Sequence, residues 1–389
     1  MRTTVAIIGG GPSGLLLSYL LHQKGIDNQV LEHRSRRHVE GRVRAGQLDH
    51  ASVAFLKRVG LGGRMMREGL PQRGVNIRFA GATHHVDLEA YTDGRYCTVY
   101  GQSELTKDLN AALARMGCSP IFEALNATLP TQRDGSGEVS FDLDGAAHGL
   151  TADVIVGCDG AHGPCRKAVL AEADGATKSL PFAWIGFLSE TPPISHELTY
   201  VYHSRGFALW SMRSAALSRT YLQCSAKDDL DDWSDDRFWS EMECRLGDAA
   251  DDIRPGRTLE RVKVPMHGFV APSVRSGNLV LAGDAAHIVP PSAAKGLNLA
   301  IADVSSLASA LDALFSGRDP HALEAYEASA LQRAWAAQHF SWRMTDLLHA
   351  PSEQNAFDDQ LKLTQLDGLL SSADQLRPFC HRYVGAEAL

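Results

Sequence analysis

Three glycines at fixed spacing carry the first chemistry in this chain: Gly9, Gly11 and Gly14, in the run Gly9-Gly10-Gly11-Pro12-Ser13-Gly14. A pyrophosphate must come close to backbone N–H groups at the start of a helix. Any side chain there obstructs that approach or the packing of helix on strand. Glu32 is the next residue able to take part, as an acceptor for a ribose 2′-hydroxyl. Glycine turns before helices are common for structural reasons alone, so the context decides. Residues 3–8 form a β-branched apolar run, residues 15–21 are apolar at helical spacing, Gly25 supplies a stop, and residues 28–32 read as a second strand. Strand, glycine turn, helix and acid-ended strand together predict a dinucleotide site.

Two later motifs select the dinucleotide. Val154-Ile155-Val156-Gly157-Cys158-Asp159-Gly160 is an apolar strand ending in Asp-Gly, and Leu279-Val280-Leu281-Ala282-Gly283-Asp284 is another ending in Gly-Asp. An NAD dehydrogenase needs neither, whereas an FAD-binding lobe returns late in the chain to set an Asp on the ribityl chain. FAD is therefore the expected cofactor, with Asp159 and Asp284 among its contacts.

The elements that position these residues follow from length and pattern. At 389 residues the chain exceeds the roughly 250 to 300 at which one core stops growing, so two lobes with a ligand-holding seam are expected. The fold class is α/β. Residues 1–177 are expected to form a Rossmann-like FAD-binding domain, with a β-meander near 121–156 turning at Asp134-Gly135 and Asp144-Gly145. Residues 178–272, richer in Trp, Tyr and Phe, are expected to form a smaller, mainly β substrate domain. Residues 273–389 are expected to hold a flavin-contacting segment and a helical C-terminal region. The apolar stripe of 328–348 fits either core or a homodimer contact.

Composition narrows the class further. The net charge of −8 shows no basic footprint for nucleic acid, and 44% apolar residues exclude general disorder. Seven scattered cysteines without a CxxC pair suit free thiols in a reducing cytoplasm, and no metal site is expected. No leader and no membrane-length apolar stretch is read, so a cytoplasmic protein without a membrane partner is expected. Six aspartates between Asp228 and Asp236 lack EF-hand spacing and read as a solvated turn before a helix capped by Ser234.

Further motifs then fall in order: His196-Glu197-Leu198-Thr199-Tyr200, Arg205-Gly206-Phe207-Ala208-Leu209, Ser211-Met212-Arg213-Ser214, the run from Gly283 to Asn298, and Tyr383-Val384-Gly385. Over essentially the whole chain they resemble the single-component FAD-dependent aromatic hydroxylases, and within them the 4-hydroxybenzoate 3-monooxygenase family. The resemblance implies that NAD(P)H reduces FAD, that O₂ forms a C4a-hydroperoxyflavin, and that 4-hydroxybenzoate is hydroxylated at C3 to 3,4-dihydroxybenzoate.

It also implies roles. Arg213, with Ser211 and Tyr221, holds the substrate carboxylate, as a guanidinium fork can. Tyr200 bonds the phenolic oxygen, Tyr383 continues the proton path, and the Pro291 carbonyl is the acceptor opposite Tyr200. Gly296, Leu297 and Asn298 line the isoalloxazine, while Ser13, Arg42, Arg44, Gln47 and Gln102 are further FAD contacts, and Arg219 lies near a mobile flavin. His33, Arg34, His38, Arg42, Arg44, His162 and Arg166 are the NAD(P)H candidates.

Departures from the family pattern carry expectations too. Gln72 stands where the proton path ends in a surface His, and glutamine does not titrate near neutral pH. Trp210 stands beside Ser211 where a small residue is usual, and is expected to reshape the pocket or the flavin's swing. His33 and His38 replace an Arg and a Tyr, yet Arg34, Arg36 and Arg37 favour a 2′-phosphate, so NADPH is expected with NADH possible. Two alternatives stay open: a related flavin hydroxylase acting on another hydroxy- or aminobenzoate, and a non-catalytic flavin-binding sensor.

Overall fold

The computed structural model describes residues 1–42, 46–129, 136–170, 174–251, 253–351 and 355–385. Its first sheet is built on parallel pairs. Arg2–Ile8 lies between Asn28–Glu32 and Ala146–Gly157, which in turn pairs with Leu279–Leu281. All are dominated by buried apolar residues, as strands covered on both faces should be. The register aligns Ile8 with Gly157 and with Leu31, and Gly157 with Leu281. The carboxyl ends of four strands therefore share one edge, where α/β sheets bind ligands. Ala146–Gly157 continues antiparallel onto Gly137–Leu143 and then Leu125–Thr128, the expected meander. Asp144 and Gly145 make its turn, both at positive φ (51° and 78°). Asp134-Gly135 lies outside the described residues.

The second sheet runs in the order His287–Ile288, Thr258–Val270, Ala176–Ser189, Leu217–Ser225, Ala208–Ser214, Leu198–Val201, Gly74–Phe79, Ala82–Asp87. Its last two strands come from outside the expected 178–272 segment. Gly74–Phe79 pairs parallel with Leu198–Val201 across more than a hundred residues of chain, a pairing that local pattern cannot show.

Strand alternation divides this sheet into two faces. Ile185, Phe187, Ala208, Trp210 and Leu222 pack with Phe238, Trp239, Met242 and Leu246 of the helix Asp235–Leu246, which Ser234 caps through the Arg237 N–H at 3.2 Å. The opposite face, with Trp184, Tyr200 and Leu209, packs against Met344, Leu348, Phe379 and Tyr383 of the C-terminal helices. Trp210 thus points away from Ser211: its indole N–H bonds Ser218 Oγ at 3.0 Å and its ring lies 5.8 Å from that of Trp239. The expectation that it reshapes the ligand side is corrected by this geometry.

Four helices close the chain: Gly296–Phe315, Ala322–Leu348, Ala356–Leu370 and Ala373–Tyr383. Gly296–Phe315 has the length and mean hydropathy (1.3) of a membrane span, which corrects the expectation that no stretch reaches that length, and it packs between Pro12–Gln23 and Ala322–Leu348. The apolar stripe of Ala322–Leu348 is largely buried in this chain's own core, with Trp335 left exposed.

Candidate active site

At the carboxyl edge of the first sheet, backbone bonds lace the strand ends together. Gly9 N donates to Leu31 O (2.8 Å), Cys158 N to Ile8 O (2.7 Å) and Ala282 N to Gly157 O (3.0 Å). Gly9 sits at φ 108°, where an added Cβ would lie 2.3 Å from the Cys158 carbonyl oxygen. At Gly14 it would lie 2.0 Å from the Gly9 oxygen. Gly11 differs: its Cβ position meets nothing within 4 Å. It is the N-cap of Pro12–Gln23 and offers no side-chain acceptor, so the amides of the first turn face open space. That space beside a helix N-terminus is where a pyrophosphate fits.

The flanking acids are fixed as well. Glu32 is buried and accepts from Gly10 N (2.6 Å), Arg34 N (2.7 Å) and His33 Nδ1 (3.0 Å). Asp159 accepts from Cys165 N at 2.8 Å, while its other oxygen is buried without a partner among the described residues. Burial pushes the Asp159 carboxyl above its usual range. Asp284 lies in the turn Gly283–Ala285, where a Cβ on Gly283 would come 2.7 Å from Ser13 Oγ, so this late segment touches the glycine turn. An open amide cradle and an orphaned carboxylate oxygen fit a dinucleotide whose phosphate and polyol must both be bonded.

On the opposite side, Tyr200 and Tyr383 meet. Tyr200 OH donates to the Ser292 carbonyl at 2.9 Å, so the 3.2 Å contact between the hydroxyls has Tyr383 donating to Tyr200. Gln47 Nε2 donates to Tyr383 OH at 3.2 Å, which completes a chain of bonds in one direction. Both tyrosines are buried, and burial raises both phenol pKa values. The Pro291 carbonyl accepts from Ala294 N at 3.0 Å and keeps a second lone pair, Ala294 sits at φ 51°, and the carbonyl that Tyr200 itself bonds is the next one, Ser292.

Asn298 is buried at the start of Gly296–Phe315. Its amide donates to Gln47 O (3.0 Å) and Ala294 O (2.8 Å), and its oxygen accepts from Asp49 N (3.0 Å). Gly296 and Leu297 are half-buried beside it. Lys295 and Asp49 were not singled out from sequence. Lys295 Nζ bonds Asp49 Oδ2 (3.3 Å) and Tyr383 O (2.9 Å), and His50 N bonds Val384 O (2.9 Å), which holds Tyr383 in place. A Lys inside the small-residue run Ala293-Ala294-Lys295-Gly296 was the available signal.

The carboxylate candidates share the ligand face of the second sheet. Tyr200 pairs with Leu209, Leu209 with Tyr221, and Ser211 with Arg219, so Ser211, Tyr221 and Arg219 fall on the Tyr200 face by alternation. Arg213 lies where the register shifts between Met212 and Ser214, and its electrostatic neighbours Tyr221 and Arg219 put it with them. Ser211 is buried, Arg213 and Tyr221 are half-buried, and burial lowers the Arg213 pKa. Arg219 is ion-paired with Glu260, while its Nη1 is buried without a partner among the described residues.

The described nicotinamide candidates lie on several elements. His33 is bound to Glu32, Arg34 is exposed, and His38 N is capped by Ser35 Oγ at 3.3 Å. His162 is exposed. Arg166 donates to the carbonyls of Asp284 and Ala285 (2.9 Å to the latter) and stacks 4.0 Å over Phe269, so it braces the Asp284 turn. Arg42 is exposed at the end of the helix Arg36–Gly41, Gln102 opens the helix Gln102–Arg115, and Arg44 lies outside the described residues. Gln72 is buried, with its Nε2 on His196 O (2.6 Å) and its Oε1 on Leu198 N (2.9 Å), so it clamps the strand that carries Tyr200.

Residues 2–341 match the FAD-binding domain family. Over 387 residues the chain is 41% identical to the p-hydroxybenzoate hydroxylase of Acinetobacter baylyi, covering 99% of this chain and 96% of that protein. It is 28% identical over 334 residues to a 3-(3-hydroxy-phenyl)propionate/3-hydroxycinnamic acid hydroxylase of Mycobacterium avium, covering 81% of this chain and 56% of that one. The solved p-nitrophenol 4-monooxygenase of Pseudomonas putida shares the fold, with TM-score 0.86 at 18% identity and 100% of both chains covered. With a relative at this identity along nearly its whole length, the chain belongs to the FAD-dependent aromatic hydroxylases.

Proposed function

We propose that this enzyme hydroxylates 4-hydroxybenzoate at C3 to 3,4-dihydroxybenzoate, using O₂ and NAD(P)H. The observation that carries the reading is a hydrogen-bonded tyrosine pair, Tyr200 on the sheet and Tyr383 on the helix packed against it, with Arg213 on the strand next to that of Tyr200. Ser211 lies two residues, about 7 Å, along the strand from Leu209, which sits opposite Tyr200. A benzoate with a para hydroxyl has its two polar ends on opposite sides of one ring and suits two such anchoring points.

Arg213 binds the carboxylate in a forked pair, with Ser211 and Tyr221 as added donors. Tyr200 meets the phenol oxygen, and Tyr383 continues the line along which its proton leaves, with Gln47 Nε2 holding the Tyr383 hydroxyl in place. The apolar walls of Trp184, Phe207 and Leu209 keep water from the ring. FAD, held at Gly11, Glu32, Asp159 and Asp284 and reduced by NAD(P)H, supplies the oxygen-activating chemistry. Gln72, bonded at both amide ends to the Tyr200 strand, acts as a clamp rather than as the end of the proton line.

The test is a panel of hydroxylated and amino-substituted benzoates, scored for stimulation of NADPH and NADH oxidation by the holoenzyme and for product by chromatography. Strong stimulation by 4-hydroxybenzoate with 3,4-dihydroxybenzoate formed is expected. Stimulation by a different benzoate alone overturns the substrate, and flavin binding without stimulation by any member favours a sensor.

A further inference from the structure

The helix Ala322–Leu348 ends under the ligand face of the second sheet, and the residue after it is enclosed by aromatic rings. His349 is 3% exposed. Its ring stacks on Phe207 (4.4 Å, 22°), Phe182 (4.9 Å, 15°) and Trp184 (5.7 Å, 7°). Its nitrogens are both engaged: Trp184 Nε1 donates to His349 Nε2 at 2.7 Å, and His349 Nδ1 lies 2.8 Å from Thr345 O. An indole nitrogen only donates and a carbonyl only accepts, so the imidazole is neutral with its proton on Nδ1.

The bonds continue in both directions. Trp184 packs on Tyr221 at 5.1 Å, which is the expected carboxylate end of the site. Thr345 Oγ1 donates to Ser341 O (2.8 Å) and therefore accepts from Ser292 Oγ (2.7 Å), and the carbonyl of that same Ser292 receives the Tyr200 hydroxyl. The backbone beside His349 is also fixed, because Gln223 bonds Ala350 at both its N–H (3.2 Å) and its carbonyl (2.6 Å) while holding Phe207 N (2.9 Å).

We infer that His349 is a positioning residue for the proposed site: it orients Trp184 beneath Tyr221 and, through Thr345, couples that end to the Ser292 carbonyl that holds Tyr200. The inference rests on the reading given under Proposed function. Without the Nε2 acceptor the Trp184 N–H is left in an apolar core with no partner, and the ring tilts or admits water. Distances between the two anchoring points then change although neither anchor is touched.

The test is a double-variant cycle on the FAD-loaded enzyme. His349→Phe keeps the stacked ring and removes the acceptor, Trp184→Phe removes the donor, and His349→Gln restores an acceptor near the Nε2 position. We expect His349→Phe to raise the KM for 4-hydroxybenzoate about tenfold and to increase peroxide leakage, with FAD content and the KM for NADPH unchanged. His349→Gln should recover most of this, and His349→Phe should add little once Trp184 is Phe. Parent-like KM and coupling in His349→Phe, or additive effects in the double variant, overturn the proposal. If His349→Phe does not fold, His349→Gln against Trp184→Phe decides it: a Gln variant as impaired as the Trp variant overturns the proposal. If the parent does not bind 4-hydroxybenzoate, the substrate reading fails separately. The cycle is then run with the benzoate that does bind, and binding of none defeats both.

Discussion

The two ligand-facing regions are built in opposite ways. The edge holding Gly9, Gly11, Gly14 and Glu32 is made of backbone within a span of 24 residues, and its specificity comes from what side chains would obstruct. The aromatic face is made of side chains drawn from Gln47 to Tyr383, each fixed by a partner far away in sequence. The first tolerates no side chain at Gly9 or Gly14, whatever the ligand beside it. On the proposed reading the second sets the substrate, and its geometry is distributed over several elements. Substitutions should therefore separate cleanly into cofactor effects and substrate effects.

Arg213→Ala is the largest expected break. It should weaken binding of the aromatic acid by about 3 kcal/mol, the lower end for a buried charged pair because Arg213 is half-buried, and leave FAD content intact. An unchanged dissociation constant removes Arg213 from the site. Tyr200→Phe follows, with hydroxylation slowed about 100-fold and FAD retained; single-turnover product formation reads it, and a parent-like rate would exclude the hydroxyl from proton transfer.

Gly14→Ala tests the other region. Its methyl would be forced 2.0 Å from the Gly9 oxygen, so a destabilisation of about 1–3 kcal/mol with loss of FAD is expected. Thermal unfolding and the flavin absorbance check it, and a yellow, parent-stable protein contradicts the packing argument. Gln72→His should cost about 1 kcal/mol of stability through one lost backbone bond, measured by denaturant titration.

The remaining prediction concerns how stability changes with pH and belongs to His349. Burial lowers its pKa from 6.5 to about 3, with Lys362 and Arg245 contributing, so the unfolded chain takes up a proton that the folded one refuses. Its contribution to stability is complete above about 6.5 and is lost as pH falls toward about 3. His349→Phe should flatten the stability profile across that window, and an identical slope contradicts a neutral buried imidazole.

Sequence made the backbone-built region legible because all its determinants are local: period, glycine spacing and the acid at a strand end. The aromatic face yielded its residue types but not their settings. Trp210 was read as a neighbour of Ser211, although adjacent strand residues face opposite ways and its partner Trp239 lies on a helix. The Ser292 carbonyl that receives the Tyr200 hydroxyl had no signal in sequence, because it is presented by a tight turn closed from Ala294 N to Pro291 O. Gly74–Phe79 joined the second sheet through a parallel pairing with no local signature. Lys295, Asp49 and His349 went unremarked because a buried polar residue is defined by its partners, and their hydrogen-bond partners lie 88 or more positions apart or, for Ser52 and Thr345, within one helical turn.

The direction of the hydroxyl line has a consequence for what the site can greet. From Gln47 through Tyr383 and Tyr200 every donor aims at Ser292, so Tyr200 meets a newcomer with a lone pair and no available hydrogen. A neutral phenol, bringing its own hydrogen, is welcomed by that polarity, whereas a phenolate finds no donor until Tyr200 turns away from Ser292. On the proposed reading, entry and activation thus require opposite orientations of the same hydroxyl, and the loss of the ligand's proton is the event that links them.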